Sequence, residues 1–175
     1  NTGSVLTSVK TSLDGFILPL PVKGRYSFEV SCEGYLFKIA EMFTIDSQNK
    51  SHHVEVRLKN IDAGATLSLS AVRFNSGSAI LEVGYQTDLV LLASWLNSNP
   101  TTSVEIVGHT DNIGSAKANL QLSEDRAESV VDFLLTSGIS ADRLSSSGRG
   151  DLVPISNNAT LEGKALNRRV EIVVN

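Results

Sequence analysis

Near Asp62 the spacing of apolar residues changes, and one type of regular element cannot satisfy both patterns. Before it, Tyr26, Phe28 and Val30 alternate with Arg25, Ser27 and Glu29, the pattern of a half-buried strand. Phe16–Leu20, Arg25–Ser31, Tyr35–Ala40 and Val54–Leu58 are short apolar or alternating stretches, punctuated by Asp14-Gly15, Lys23-Gly24 and Glu33-Gly34. They predict a small all-β, sandwich-like module over 1–62. Beyond it, Thr66–Phe74 reads as a strand, and Tyr85, Leu89, Leu92 and Leu96 recur at helical spacing until Asn99-Pro100. Ser103–Val107 alternates, with Val104 and Ile106 on one face. Ser123 reads as a helix N-cap with Glu124 and Asp125 in the first turn. Ala127, Val130, Val131 and Leu134 supply a buried stripe, and Gly138 closes the helix. Arg143–Ser147 and Arg169–Val174 complete the pattern as strands. The expected order over 63–175 is β-α-β-α-β-β, an α/β (α+β) domain with one sheet packed against helices.

Charge narrows the function. Through Asp62 there are seven basic and seven acidic residues, and after it eight basic and twelve acidic. The net charge of −4 therefore belongs to the second part, which argues against nucleic acid as a partner. Cys32 is the sole cysteine, so neither an intrachain disulfide nor a cysteine-built zinc site is available; its alternating surroundings predict a buried, inert thiol. No run is long and apolar enough to span a bilayer as a helix. The chain opens mid-pattern at Asn1, as a processed chain or a fragment does.

Two resemblances follow. Leu13-Asp14-Gly15-Phe16, Leu18-Pro19-Leu20, Gly24-Arg25-Tyr26 and Glu33-Gly34-Tyr35 resemble the later half of a carboxypeptidase-regulatory-like β-sandwich, a transthyretin-like spacer without chemistry of its own. The second rests on the stretch Gly108-His109-Thr110-Asp111-Asn112-Ile113-Gly114, which leaves a strand end while Ser123–Arg126 opens the next helix. Loops at such positions commonly bind ligands. Asp111 offers a carboxylate and Arg126 a planar fork of donors, a pair suited to a carbon bearing both an ammonium and a carboxylate. Together with Asn119, Leu122-Ser123, Arg126-Ala127, Gly148, Pro154, Asn158 and Glu162-Gly163-Lys164-Ala165-Leu166-Asn167-Arg168-Arg169-Val170, this ordered set resembles the OmpA C-terminal-like domain, a fold with a mixed sheet.

That resemblance implies non-covalent, non-catalytic binding of peptidoglycan through the diaminopimelate of its stem peptide. Asp111 and Arg126 match the residues that hold diaminopimelate. Thr110, Asn119 and Arg168 match further pocket positions, Leu122 would pack on the ligand's aliphatic stem, and Asn75 matches a rim position where the family often carries Asp. The family's usual aromatic before Asn119 is Ala118 here. Implied with it are the periplasm of a Gram-negative bacterium, association with the outer membrane and cell wall, and no cofactor. Expected partners are peptidoglycan and the proteins of an envelope or secretion complex. The pairing of the two modules resembles cell-envelope lipoproteins of the Bacteroidetes, some of which accompany the type IX secretion machinery. An interaction scaffold without ligand binding is the alternative.

Each residue also has a structural reading. Asp111 can cap its own turn, and Arg126 can pair with Asp125 or Glu128 at the surface. Arg168 and Arg169, adjacent on a strand, would point oppositely, one to ligand and one to the fold. His109 near Asp111 hints at a metal or an acid–base pair, but no further cluster with His52 or His53 has zinc-like spacing, and a structural histidine is expected. Ser145-Ser146-Ser147-Gly148 lacks a nucleophile-elbow pattern. No catalytic residue is assigned.

Overall fold

The computed structural model describes residues 24–30, 34–44, 56–69, 72, 74, 77–82 and 87–175. Phe16–Leu20, Cys32, Asn75 and Tyr85 lie outside them, as do most residues behind the carboxypeptidase-regulatory-like resemblance. The chain divides into two units, Asn1–Phe28 with Ile39–Glu55 and Glu29–Lys38 with Val56–Asn175. Strands β1 (Gly24–Val30) and β2 (Lys38–Thr44) pair as a two-stranded sheet. The strand expected to begin at Tyr35 thus starts at Lys38, with Tyr35 in an isolated bridge to Asn60. Among the described residues Val56–Leu58 form no strand, although Leu36 N bonds Lys59 O and Ile61 N bonds Gly34 O.

The second unit holds β3 (Thr66–Ser68), α1 (Thr87–Ser98), β4 (Val104–Gly108), α2 (Ala116–Thr136), β5 (Leu144–Gly148), α3 (Leu161–Asn167) and β6 (Val170–Val174). Its four-stranded sheet runs β3-β6-β4-β5; β4 and β5 are parallel and the β6 pairings antiparallel. This is the mixed α/β sheet that the sequence predicts, with one short helix added between β5 and β6. The strand expected over Thr66–Phe74 is only three residues long. Leu69 N still bonds Val170 O, but β6 begins there, so the ladder runs out of partner.

The register sets Val104 against Val174, Ile106 against Ile172 and Gly108 against Val170. Those apolar side chains are buried with Leu89, Leu92 and Leu96 of α1 and Ala127, Val130 and Leu134 of α2. Each fully buried aliphatic side chain contributes roughly 1.5–3 kcal/mol. Leu36 and Phe37 join this core, where Phe37 packs on Trp95 and the Trp95 indole donates to Tyr35 O. Arg143 fastens the end of α1 from the foot of β5, donating to Leu96 O, Asn99 O and Thr102 O. These carbonyls lie at and beyond a helix C-terminus, where a cation is favourable.

α2 begins eight residues earlier than its sequence reading. Ser115 is the N-cap, and its hydroxyl accepts from Ala118 N. Ser123 sits inside the helix, fully buried. The apolar period hides this first half because the buried positions there are polar: Asn119, Ser123 and Arg126. The far end matches expectation, with Gly138 at φ 88° and Ile139 N bonding Leu134 O.

α2 touches the sheet at two glycines. Gly108 and Gly148 are register partners on the parallel strands β4 and β5. A Cβ on Gly108 would lie 2.0 Å from Ser123 O, and one on Gly148 would lie 2.5 Å from Ser123 Oγ. Gly108→Ala should therefore destabilise the protein by at least about 3 kcal/mol, because helix or strand backbone must move. Gly138→Ala, with open space around its Cβ but an unfavourable φ, should cost only about 1–2 kcal/mol. Urea midpoints measured at constant m report both; equal losses would contradict the close-approach account.

Candidate ligand-binding site

The loop after β4 is fixed by its backbone. His109 N donates to Arg169 O, Thr110 N to Gly150 O, and Arg149 N to Gly108 O. Gly150 N in turn donates to Ser123 Oγ, which itself donates to Leu120 O. The Ser123 side chain thus ties α2 to the loop beyond β5, a role different from the helix cap expected of it.

Asp111 is buried in this loop. Its Oδ1 accepts from Ile113 N, so it does cap its own turn. Its Oδ2 pairs with Arg168 Nη1 at 2.8 Å. Asn119, buried on α2, donates through Nδ2 to Asp111 O at 3.3 Å. Leu122 follows three positions later and Arg126 four after that, so the three lie along one helical face. Leu122 is half-buried.

Arg126 is only 6% exposed. Its Nε donates to Ser78 O, and its guanidinium stacks over the Phe74 ring at 5.0 Å. The surface pair with Asp125 or Glu128 does not form; Asp125 accepts from Gln121 instead. Burial, followed by the Arg168 cation, pushes the Arg126 pKa down, and Asp111 opposes them. Among the described residues the Arg126 Nη groups hold no hydrogen bond or ion pair. Arg126 lies in the third turn of α2, so the helix N-terminus expected beside it at Ser123 is instead at Ser115.

Arg168 and Arg169 do diverge, but not as strand neighbours: Arg168 is the C-cap of α3, and β6 starts at Val170. Arg168 is exposed and reaches Asp111, whereas Arg169 is buried and donates to Glu171 Oε1, Val153 O and Asn167 O. The structure therefore gathers Asp111, Arg126, Arg168 and Asn119 at one end of the sheet, with Leu122 and Thr110 adjoining in sequence. Thr110 is buried, and its Oγ1 has no hydrogen-bond partner among the described residues. Asn75 lies outside the described residues, two positions before Gly77.

Three supporting residues escaped the sequence reading. Phe74 and Ser78 fix Arg126, one through its ring and one through a main-chain carbonyl that no sequence pattern marks. Asn167, fully buried, uses all four hydrogen-bonding positions of its amide. Its Oδ1 accepts from Ile155 N and Ser156 N, and its Nδ2 donates to Ser156 O and Asn158 Oδ1. The amide so holds the 155–158 loop beside the base of Arg168. The turn at Gly163 is capped by Thr160, whose hydroxyl accepts from Gly163 N.

His109 is 3% exposed, with Nε2 lying 3.6 Å from Glu171 Oε2, longer than a hydrogen bond. Among the described residues no group of three His, Cys, Asp or Glu is placed to hold a metal ion. Burial, then the Arg169 cation, lowers the His109 pKa from 6.5 to about 4, with Glu171 opposing. Between those values the unfolded chain binds a proton that the folded protein refuses, so stability falls as pH drops. The contribution is intact above about pH 6.5 and lost below about pH 4, amounting to ~3 kcal/mol. Urea midpoints between pH 7 and pH 4 should fall more steeply for the natural protein than for His109→Gln; parallel curves would contradict the assignment.

Comparison with known proteins agrees with this architecture. The OmpA family model matches residues 73–168. The chain is 43% identical over 103 residues to the probable lipoprotein YiaD of Escherichia coli (strain K12), covering 59% of this chain and 47% of that protein. It is 44% identical over 101 residues to the peptidoglycan-binding protein ArfA of Mycobacterium tuberculosis (strain ATCC 25618 / H37Rv), covering 58% and 31%. The chain thus spans about half, or less, of the length of these curated relatives. The crystal structure of the peptidoglycan-associated lipoprotein from Burkholderia pseudomallei superposes with a TM-score of 0.56 at 30% identity, over 59% of this chain and 88% of that one. With a family match over more than half of its residues, the chain belongs to the OmpA family.

Proposed function

We propose that the chain binds peptidoglycan non-covalently through the diaminopimelate of the stem peptide and so anchors an outer-membrane or periplasmic assembly to the cell wall. One observation carries the reading: two guanidinium groups attend a single buried carboxylate. Arg168 already pairs with Asp111, while Arg126 keeps its Nη donors unpaired among the described residues. The cluster has cationic charge to spare, and its donors form the fork that suits a carboxylate.

The free end of diaminopimelate carries an ammonium and a carboxylate on one carbon. Its carboxylate meets Arg126, and its ammonium joins Asp111, whose two oxygens offer about four acceptor sites and therefore room beyond Ile113 N and Arg168. Leu122 lies under the aliphatic stem, Asn119 steadies the Asp111 loop, Thr110 offers its hydroxyl, and Asn75 is assigned to the rim by its match to the family's motif alone. A lysine-type peptide lacks the carboxylate and leaves the Arg126 Nη donors without an anionic partner. The names of two relatives, a peptidoglycan-binding protein and a peptidoglycan-associated lipoprotein, support the same substrate class. The role is binding, not catalysis. We place the chain in the periplasm of a Gram-negative bacterium, associated with outer membrane and wall. Its domain would span 63–175 after a β module of carboxypeptidase-regulatory-like type, as in Bacteroidetes lipoproteins linked to type IX secretion. Among the described residues no helix is long and apolar enough to cross a membrane.

Hydrogen bonds to charged groups contribute about 1.5–3 kcal/mol each. Asp111→Ala and Arg126→Ala should each weaken binding of a diaminopimelate stem peptide roughly tenfold to a hundredfold, and the lysine analogue should bind the natural protein comparably weakly. Calorimetric titration checks this. Equal affinity for both peptides would contradict the proposal.

A further inference from the structure

Arg168 borders a second concavity. A groove of about 480 Å³ is lined by Leu69, Val72, Ile155, Ala165 and Leu166, with Arg168 among its polar residues and Glu162 also on its wall. Leu69 and Val72 are buried, whereas Ile155 and Leu166 are each 57% exposed. Around it the segments 152–155 and 161–166 bring five large apolar side chains to the surface: Leu152, Val153, Ile155, Leu161 and Leu166. Clustered surface apolar residues of this kind mark interaction sites. The volume falls within the roughly 300–1,000 Å³ of small-ligand pockets, room enough for a small group.

We infer that this groove is a second subsite for the same stem peptide and takes the D-alanine that follows diaminopimelate. The inference rests on the peptidoglycan reading above. Continuity comes from Arg168, which lines the groove while its Nη1 holds Asp111, leaving further guanidinium donors for a second carboxylate. Glu162 disfavours an anion elsewhere in the groove, so the D-alanine carboxylate sits toward Arg168 and its methyl group lies on the aliphatic walls. A sugar is the poorer occupant: among the described residues the lining has no aromatic ring for stacking and is mostly aliphatic.

The test is calorimetric titration of three synthetic peptides: a tripeptide ending in diaminopimelate, and tetrapeptides extended by D-alanine or by glycine. Each is measured with the natural protein and with the doubly substituted Ile155→Ser, Leu166→Ser protein, whose changed side chains are already half in solvent. The D-alanine peptide should bind the natural protein about fourfold tighter than the glycine peptide, the worth of one buried methyl group. The substituted protein should lose that preference and keep its tripeptide affinity. Binding of the tripeptide without a D-alanine preference, or a preference that survives both substitutions, overturns the groove assignment alone. Failure of all three peptides to bind overturns the peptidoglycan reading and the groove together.

Discussion

The backbone of α2 rests on Gly108 and Gly148, partners on adjacent parallel strands, at a distance that leaves no room for a Cβ on either. From that approach the α2 residues of the site take their positions. Ser123, at the contact, turns its hydroxyl to Gly150 N, and Gly150 O accepts from Thr110 N. One hydroxyl therefore links the helix to the loop that presents Asp111. Asn119 completes the link from one turn earlier in the helix by donating to Asp111 O. A bulkier residue at either glycine would lift Asn119, Leu122 and Arg126 together away from that loop.

Charge is kept at this end of the sheet by two different arrangements. Burying ions is costly unless each is paired and hydrogen-bonded. Arg169 and Glu171 meet that requirement within the fold, Arg169 donating to Glu171 and to carbonyls, while His109, whose ring nitrogens hold no hydrogen bond among the described residues, stays neutral at neutral pH. Arg126 meets it only in part. Its Nε and its ring face are occupied, while its Nη donors hold no hydrogen bond or ion pair among the described residues, and a second cation stands close enough to oppose its charge. In the proposed complex the ligand's carboxylate, held between Arg126 and Arg168, would neutralise that excess charge. The paired Asp111 supplies the opposite pole for a zwitterion.

What the sequence disclosed followed from periodicity where the buried face was apolar. Val104 and Ile106, Val170, Ile172 and Val174, and the Ala127, Val130 and Leu134 stripe all occupy the core as their spacing implies. Periodicity failed where the buried face was polar, and so α2 seemed to begin at Ser123 although Ser115 caps it. It failed again at α3, whose Leu161 and Leu166 face solvent, so that no apolar stripe announces seven helical residues. The adjacency of Asp111 and Arg168, 57 positions apart, is a tertiary fact created by β6 lying beside β4. The residues that restrain Arg126 act through a carbonyl and a ring face, which leave no motif.

The central claim is that an unmatched Arg126 fork beside Asp111 receives a zwitterion. The most direct measurement is a nitrogen-15 spectrum that resolves arginine Nε–H groups, recorded while a diaminopimelate stem peptide is added. The account predicts saturable shifts of the Arg126 and Arg168 side-chain signals and of the Asp111 and Ile113 amides, with Arg143 unmoved at the far end of the sheet. Saturable binding that leaves the Arg126 signal in place would contradict it.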